Sequence, residues 1–281
     1  MKWSTLVGVD ELAGALGSEE LRVVDARFAL MDPLAGCGAY EESHLPGAVH
    51  ADLNRDLSDL TRAGEGRHPL PEAAAFARKL GEWGIAPQHQ VVVYDAGDGS
   101  MAAARLWWML KLLGHGRVAV LDGGLAAWRA KELPETASTS SPAAEPAYPA
   151  TFDASRIVTA DEVQSRLGEA TGWLLDARAS ERFRGEVEPI DPVAGHVPGA
   201  VNRPVADNLE AGRFKSPQQL RAEIMPLLSG RDPGDVVVMC GSGVTACHLL
   251  LALEHAGLHG ARVYAGSWSG WISDPSRPIA C

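Results

Sequence analysis

The chain repeats one pattern of motifs in its two halves. Residues 21–27 read Leu-Arg-Val-Val-Asp-Ala-Arg, and residues 173–178 read Trp-Leu-Leu-Asp-Ala-Arg. The turn His-x-Pro-Gly-Ala-Val begins at His44 and again at His196, and the two repeats have the same spacing to within one residue. A pattern that recurs after half the chain requires a fold that is built twice. We therefore expect a tandem duplication in which each half forms its own domain.

Short apolar runs alternate with amphipathic segments in each half. In the first half this pattern predicts helices over 9–16, 72–83 and 102–113, and strands over 21–25, 91–94 and 118–121. Strands separated by helical crossovers are typical of an α/β fold with a mainly parallel sheet flanked by helices. Residues 136–150 are rich in Pro, Ser and Ala and predict a linker. We expect domains over 1–135 and 151–281.

Composition excludes several classes of partner. The chain has 281 residues and a net charge of -11, with no run of Lys or Arg, so a nucleic-acid partner is not expected. The first twenty residues meet several acidic side chains before any long apolar stretch, so we expect no signal peptide, no segment that spans a bilayer and no membrane partner. Its four cysteines lack metal-ligand spacing, which favours a cytoplasmic protein with a free thiol and no metal site.

One cysteine lies where a predicted strand meets a predicted helix. The apolar run 236–239 ends at Cys240, a loop reading Gly-Ser-Gly-Val-Thr follows, and a helix-like segment begins near residue 246. Helix starts and loop glycines direct backbone N–H groups at an anion, so a thiolate at Cys240 is expected to be stabilised there and to act as a nucleophile. Gly241 and Gly243 can both adopt positive φ. The hydroxyls of Ser242 and Thr245 are nearby donors.

Other repeated residues are interpreted as structural. The turns at His44 and His196 occur in both halves, although only one half has the cysteine. Asp25 and Asp176 each lie two residues before an arginine, which predicts a paired Asp–Arg at each strand end. We expect Cys247, seven residues beyond Cys240, to pack in the helix rather than to act as a second thiol.

The loop 240–245 and the repeat resemble the tandem rhodanese-like sulfurtransferases, most closely the 3-mercaptopyruvate sulfurtransferases. The resemblance implies that Cys240 takes sulfur from 3-mercaptopyruvate as a persulfide and releases pyruvate. Thioredoxin, glutathione, another thiol or cyanide then accepts the sulfur, and no cofactor is needed. Backbone N–H groups of Gly241, Gly243, Val244 and Thr245 would hold the persulfide charge. Asp95 occupies the matching position in the first half, which should therefore be inactive.

The resemblance also implies a set of residues that bind substrate and transfer protons. Arg182 aligns with an arginine that binds the substrate carboxylate, and Arg184 is a second candidate two residues on. Animal members have another arginine in the acidic loop that follows, whereas residues 186–195 contain none. Some members use an Asp and a His together with the loop serine, Ser242. This chain has Asn54 and His68 at those positions.

Three alternatives remain open at the level of sequence. Thiosulfate could be the donor, although family loops that favour this dianion have basic residues after the cysteine, where this chain has Gly241 and Ser242. A cysteine phosphatase would need a longer loop that ends on an arginine, and this loop ends on Thr245 and Ala246. A persulfide carrier without turnover is the third alternative, and nothing in the sequence excludes it.

Overall fold

The computed structural model describes residues 2–140 and 148–281, and residues 141–147 of the predicted linker lie outside them. In the first half, strands and helices alternate along the chain. They are β1 (Leu6–Val7), α1 (Val9–Ala15), β2 (Leu21–Asp25), α2 (Ala35–Glu42), β3 (Ala48–His50), α3 (Ala73–Glu82), β4 (Gln90–Tyr94), α4 (Ala102–Leu112), β5 (Val118–Leu121) and α5 (Gly124–Arg129). The strands pair in parallel in the order β1-β5-β4-β2-β3.

The second half follows the same plan. Its elements are β6 (Ile157–Val158), α6 (Ala160–Ser165), β7 (Leu174–Asp176), α7 (Ser180–Phe183), β8 (Val201–Asn202), β9 (Leu209–Glu210), β10 (Arg213–Phe214), α8 (Pro217–Ile224), β11 (Val237–Met239), α9 (Thr245–His255), β12 (Arg262–Tyr264) and α10 (Ser267–Trp271). Short 3-10 turns cover Ala154–Arg156, Val205–Asn208, Met225–Leu228 and Pro233–Asp235. The parallel order is β6-β12-β11-β7-β8, and β9 and β10 form a separate antiparallel pair.

The inner strands of each sheet are buried because they consist mainly of apolar residues. The central strands β4 and β11 are buried along their whole length, as expected for a parallel sheet covered on both faces. Each half has its own hydrophobic core, which includes Trp128 in the first and Trp268 and Trp271 in the second. The predicted α/β fold with two mainly parallel sheets is confirmed. Within the described residues, no helix has both the length and the apolar character needed to cross a membrane.

The two compact units are not contiguous in the chain. The first comprises 2–59 and 70–153 of the described residues, except 141–147, and the second comprises Leu60–Pro69 with Ala154–Cys281. Within the second unit, the backbone N–H of Arg67 donates to Ser269 Oγ (3.0 Å), and the Ser273 hydroxyl donates to the carbonyl of Gly64 (3.1 Å). These bonds hold a segment of the first repeat against α10. The sequence alone predicted a simple division at the linker, residues 136–150.

The repeated polar motifs make equivalent contacts in the two halves. Arg27 makes a two-pronged ion pair with Asp25, and Arg178 makes the same pair with Asp176. Both pairs are buried at the ends of strands β2 and β7. Nδ1 of His44 and of His196 each lies within 2.8 Å of a backbone carbonyl oxygen. These contacts support the structural interpretation of the repeated Asp–Arg and His-x-Pro-Gly-Ala motifs.

Candidate active site

Cys240 follows the central strand of the second sheet directly. β11 lies between β12 and β7, and helix α9 begins five residues later at Thr245. The backbone N–H of Gly243 donates to Cys240 Sγ (3.2 Å), and the N–H of Cys240 donates to Ser267 Oγ (3.1 Å). The residue is buried, with 1% of its surface exposed. The loop therefore folds back on the sulfur, and a backbone dipole stabilises negative charge on it.

The two loop glycines have different roles. Gly243 has a φ of 77°, and a Cβ atom there would lie 2.2 Å from the carbonyl oxygen of Ala265. Gly241 is not among the residues with positive φ, so the loop uses the left-handed conformation that glycine permits at Gly243 and not at Gly241. The carbonyls of Cys240 and Gly241 accept hydrogen bonds from the N–H groups of Trp268 and Ser269, both at 2.9 Å. These bonds attach the loop to α10.

His68 lies beside the loop serine. Its Nδ1 is 2.9 Å from Ser242 Oγ, and both side chains are buried. The histidine is placed there by segment 60–69, which belongs to the same compact unit. A hydroxyl in contact with an imidazole can pass a proton in either direction. Asn54 belongs to the first unit, where its backbone N–H donates to Asp52 Oδ1 (2.8 Å).

Arg182 is held by two carboxylates. Its Nε and Nη2 donate to Glu188, with Nη2 at 2.7 Å from Oε1, and Nη2 also donates to Asp191 Oδ2 (3.1 Å). Burial disfavours ionisation of Glu188. The hydrogen bonds from Arg182 and from the N–H groups of Asp191 and Ile190 outweigh burial and lower the pKa of this carboxyl. Arg182 is therefore a fixed, charged group at the site.

Asp191 also binds a second arginine, Arg67, through its other carboxylate oxygen. Nη1 of Arg67 donates to Oδ1 of Asp191 in a short ion pair. A Cβ atom on Gly241 would lie 3.4 Å from Arg67 Nη2 and 3.6 Å from both Nη1 and Nη2 of Arg182. Both guanidinium groups therefore lie over the residue next to Cys240. The acidic loop contributes counter-ions here, and the second cation comes from segment 60–69.

The remaining predicted residues differ in how close they lie to the loop. Val244 is buried, and Thr245 is the first residue of α9, so their N–H groups stand at the helix start beside the loop. Arg184 is exposed and pairs with Glu186 through two hydrogen bonds (2.7 and 2.8 Å). Among the described residues, the hydrogen bonds and ion pair of Arg184 go to Glu186 and not to the loop, and its role in substrate binding stays a prediction. The thiol of Cys247 is buried and donates to the carbonyl of Gly243 (3.2 Å).

Sequence reasoning missed four residues of this site: Arg67, Glu188, Asp191 and Ser267. Arg67 directly precedes His68, and that adjacency was the one available signal. The carboxylates lie in the loop 186–195, which was noted only for lacking an arginine. Among the described residues, no group of three or more His, Cys, Asp or Glu is arranged to hold a metal ion.

The first half has a carboxylate where the second has the thiol. Asp95 follows β4, and its Oδ1 accepts hydrogen bonds from the N–H groups of Gly97 (3.2 Å) and Gly99 (3.0 Å). Its Oδ2 accepts from the N–H of Met101 (3.3 Å). Burial raises the pKa of Asp95 to about 6, although these hydrogen bonds favour its charged form. The same kind of loop therefore surrounds a group that cannot bind a transferable sulfur.

Two rhodanese-like domains account for most of the chain. The rhodanese-like domain model matches residues 8–131 and again residues 159–274. The chain belongs to the rhodanese-like family as a protein with two tandem domains.

Relatives over the full length define the enzyme class. A probable 3-mercaptopyruvate sulfurtransferase of Pseudomonas aeruginosa is 51% identical, covering 100% of this chain and 99% of that protein. A putative thiosulfate sulfurtransferase, SseB of Mycobacterium tuberculosis, is 42% identical over 98% of this chain and 96% of its own length. The crystal structure of SseA from Escherichia coli, a 3-mercaptopyruvate sulfotransferase, superimposes with a TM-score of 0.79 at 32% identity, covering 95% and 100% of the two chains. The chain is a sulfurtransferase.

Proposed function

We propose that the protein transfers sulfur from 3-mercaptopyruvate to a thiol or to cyanide through a persulfide on Cys240. The observation that carries the proposal is the position of the Cys240 sulfur. It faces the N–H of Gly243, and the adjacent Gly241 lies beneath the two guanidinium groups of Arg67 and Arg182. A nucleophile beside a site for a small carboxylate is what a sulfur donor of this kind requires.

In the first half-reaction, the Cys240 thiolate attacks the sulfur of 3-mercaptopyruvate. A sulfur–sulfur bond forms, the bond between sulfur and C3 breaks, and its electron pair leaves on C3 as the enolate of pyruvate. The proton of the substrate thiol ends on C3, and the enzyme keeps the persulfide anion. The N–H of Gly243 and those at the start of α9 stabilise this negative charge.

Ser242 and His68 are suited to proton transfer in this step. The hydroxyl of Ser242 lies in hydrogen-bond contact with Nδ1 of His68, two residues along the loop from the sulfur. A hydroxyl at this place can donate to the substrate ketone as enolate charge develops, while the imidazole supplies or removes the proton.

In the second half-reaction, the acceptor attacks the outer sulfur of the persulfide, and Cys240 leaves as a thiolate. The acceptor carries the sulfur away as a persulfide or, when it is cyanide, as thiocyanate. A small thiol such as glutathione and a protein thiol such as thioredoxin fit this chemistry equally well. Substrate and acceptor react in turn at one sulfur atom, so ping-pong kinetics are expected.

We further propose that the second repeat, residues 151–281, is the catalytic domain, with Leu60–Pro69 supplying His68 and Arg67. The first repeat, residues 1–135, is inactive because Asp95 stands where Cys240 stands in the second. The remaining residues 136–150 connect the two. A nucleophile that must remain a free thiol also suits the reducing cytoplasm.

Thiosulfate is the second candidate donor. Two guanidinium groups over Gly241 also suit a dianion, and the Mycobacterium tuberculosis relative has thiosulfate in its name. The loop residues after Cys240 are uncharged, which favours 3-mercaptopyruvate.

The test measures sulfur transfer from 3-mercaptopyruvate and from thiosulfate in parallel, on the wild type and on Cys240→Ser. We expect kcat/KM for 3-mercaptopyruvate to be higher by about tenfold or more, and Cys240→Ser to lose activity with both donors. Mass spectrometry of the wild type after donor addition should show one extra sulfur on the peptide that contains Cys240. Activity that persists in Cys240→Ser contradicts the mechanism, and a preference for thiosulfate selects the second candidate.

A further inference from the structure

We propose that Ser267 is a positioning residue for the nucleophile: its buried hydroxyl fixes the backbone of Cys240 so that the sulfur stays on the N–H of Gly243. The inference deepens the proposed function and rests on it, because it takes Cys240 as the reacting group. The hydroxyl contacts the peptide N–H of Cys240 rather than the sulfur, so Ser267 acts through the backbone.

The hydroxyl of Ser267 occupies the place of a rung between β11 and β12. The two strands pair in parallel, and the N–H of Arg262 donates to the carbonyl of Val236 (2.9 Å). Continuing this ladder would direct the N–H of Cys240 at the carbonyl of Tyr264. Instead, the N–H of Cys240 donates to Ser267 Oγ (3.1 Å), and the hydroxyl donates to the carbonyl of Tyr264 (2.9 Å). One side chain therefore separates the two strand ends and satisfies a polar group on each of them.

Ser267 holds its hydroxyl there in a strained backbone conformation. Its φ is 52°, which is unfavourable for an L-residue. Three other described non-glycine residues have positive φ, and all three are exposed, whereas Ser267 is fully buried. They are Glu132, Ala211 and Ser229. Strain that persists in a buried residue beside a reactive group points to a functional constraint.

The first half has the same turn without the side chain. In each half, an N–H in the last helix donates to the carbonyl of the residue that follows the central strand, at 2.9 Å. The residue before that donor is Gly124 in the first half and Ser267 in the second, and the φ of Gly124 is 51°. A Cβ atom on Gly124 would lie 2.4 Å from the carbonyl oxygen of Gly97. The turn itself therefore needs no hydroxyl, and the hydroxyl occurs in the half that has the thiol.

The hydroxyl completes the fixation of the Cys240 backbone. The carbonyl of Cys240 accepts from the N–H of Trp268 (2.9 Å), so two consecutive residues of α10 hold both polar groups of its backbone. In this position Sγ accepts from the N–H of Gly243 (3.2 Å). Without the hydroxyl, the N–H of Cys240 and the carbonyl of Tyr264 lose their buried partner or close on each other directly. Either change moves the sulfur away from the N–H of Gly243.

The test compares Ser267→Gly with Ser267→Ala. Both variants lack the hydroxyl, but only alanine keeps the strain of the positive φ, so Ser267→Gly should unfold at a higher urea concentration than Ser267→Ala. With 3-mercaptopyruvate as donor and dithiothreitol as acceptor, we expect kcat/KM to fall about 10- to 100-fold in both variants, as for a misplaced reacting group. The loss should be similar for donor and acceptor, because the Cys240 sulfur reacts in both half-reactions.

Ser229 provides the matched control. It has the same φ of 52°, but it is exposed and follows the 3-10 turn Met225–Leu228. Ser229→Gly should likewise unfold at a higher urea concentration than Ser229→Ala, because the strain is the same. Both Ser229 variants should keep the wild-type kcat/KM for donor and acceptor.

Amide hydrogen exchange gives a readout that needs no substrate. The chain has four cysteines, so isotope labelling of cysteine alone limits the NMR spectrum to their amide signals. Exchange of the Cys240 N–H should be about tenfold faster or more in Ser267→Gly than in the wild type, because its buried hydrogen bond is lost. The N–H of Cys37 in α2 reports on general effects and should exchange at the wild-type rate.

Each outcome decides between two readings of the turn. Activity that survives in Ser267→Gly would mean that the site needs only the backbone conformation, and an unchanged exchange rate of the Cys240 N–H would exclude the hydrogen bond. Either result overturns the inference. Wild-type protein that does not turn over 3-mercaptopyruvate would overturn the proposed function instead, and hydrogen exchange would still decide whether Ser267 holds the Cys240 backbone.

Discussion

Gly243 combines two constraints that no other residue type satisfies. Its φ of 77° is a conformation that costs an L-residue about 1 to 2 kcal/mol, and a Cβ atom would overlap the carbonyl oxygen of Ala265 at 2.2 Å. We expect Gly243→Ala to displace the N–H that donates to Cys240 Sγ and to lower kcat/KM by about 100-fold, as for the loss of an oxyanion-hole donor.

Gly257 provides the matched control for this prediction. It has a φ of 72°, and a Cβ atom there would meet nothing within 4 Å. Gly257→Ala should therefore cost about 1 kcal/mol of unfolding free energy from backbone strain alone, with kcat/KM unchanged. Equal kinetic losses in the two variants would show that general destabilisation, rather than the loop geometry, lowers the activity.

At the scale of single elements, the strand, loop and helix that carry Cys240 could be predicted closely. β11 and α9 lie within one residue of the apolar runs that predicted them, because the Gly-Ser-Gly loop separates the two periodicities. Other features depend on contacts between distant residues. Nothing local in segment 60–69 indicates that Arg67 N–H bonds Ser269, or that Arg67 and Arg182 share Asp191. Such pairs become visible only once the sheet order brings the elements together.

The end of β7 is stabilised by the Asp176–Arg178 pair. Both side chains are buried, Arg178 also donates to the carbonyl of Gly195 (2.8 Å), and its guanidinium lies 4.7 Å from the centre of a Trp268 ring. Removing one partner leaves an uncompensated buried charge, so we expect Arg178→Met to lower the unfolding free energy by about 3 to 5 kcal/mol. Urea denaturation followed by far-UV circular dichroism measures the change.

The exposed pair Arg184–Glu186 is the comparison for this prediction. It has similar bond lengths, but both side chains face solvent. Arg184→Met should therefore leave the urea midpoint unchanged within error. If both variants shift the midpoint alike, burial is not what makes the Asp176–Arg178 pair important.

At the scale of the whole molecule, one fold has been used twice with different central groups. The strand orders of the two sheets are equivalent, and the loops after β4 and β11 both direct backbone N–H groups at the residue that follows the strand. In the second half that residue is a thiol, and in the first it is the carboxylate of Asp95. The repeated motifs predicted the duplication, and they also predicted that Asp95 occupies in the first half the position that Cys240 occupies in the second. The high burial of Asp95 needed the structure.

That burial makes the stability of the first unit depend on pH. The pKa of Asp95 rises from its ordinary value of 3.8 to about 6 in the folded state, chiefly because burial disfavours the charge. Between these values the unfolded chain releases its proton first. The stabilising contribution is therefore complete below about pH 4, is lost as pH rises towards 6, and stays lost above it. The two pKa values correspond to a loss of about 2 kcal/mol between pH 4 and pH 8.

Asp95→Asn isolates this effect from every other titrating group. The amide keeps an acceptor for the N–H groups of Gly97 and Gly99 and gives up the bond from Met101, a cost that does not vary with pH. We expect the stability difference, variant minus wild type, to rise by about 2 kcal/mol from pH 4 to pH 8. Urea unfolding followed by pulsed hydrogen exchange in β4 peptides assigns the change to the first unit. A stability difference that stays constant with pH would mean that Asp95 is ionised in the folded protein throughout this range. The loop N–H groups would then stabilise its negative charge, as the loop after β11 is proposed to stabilise the persulfide.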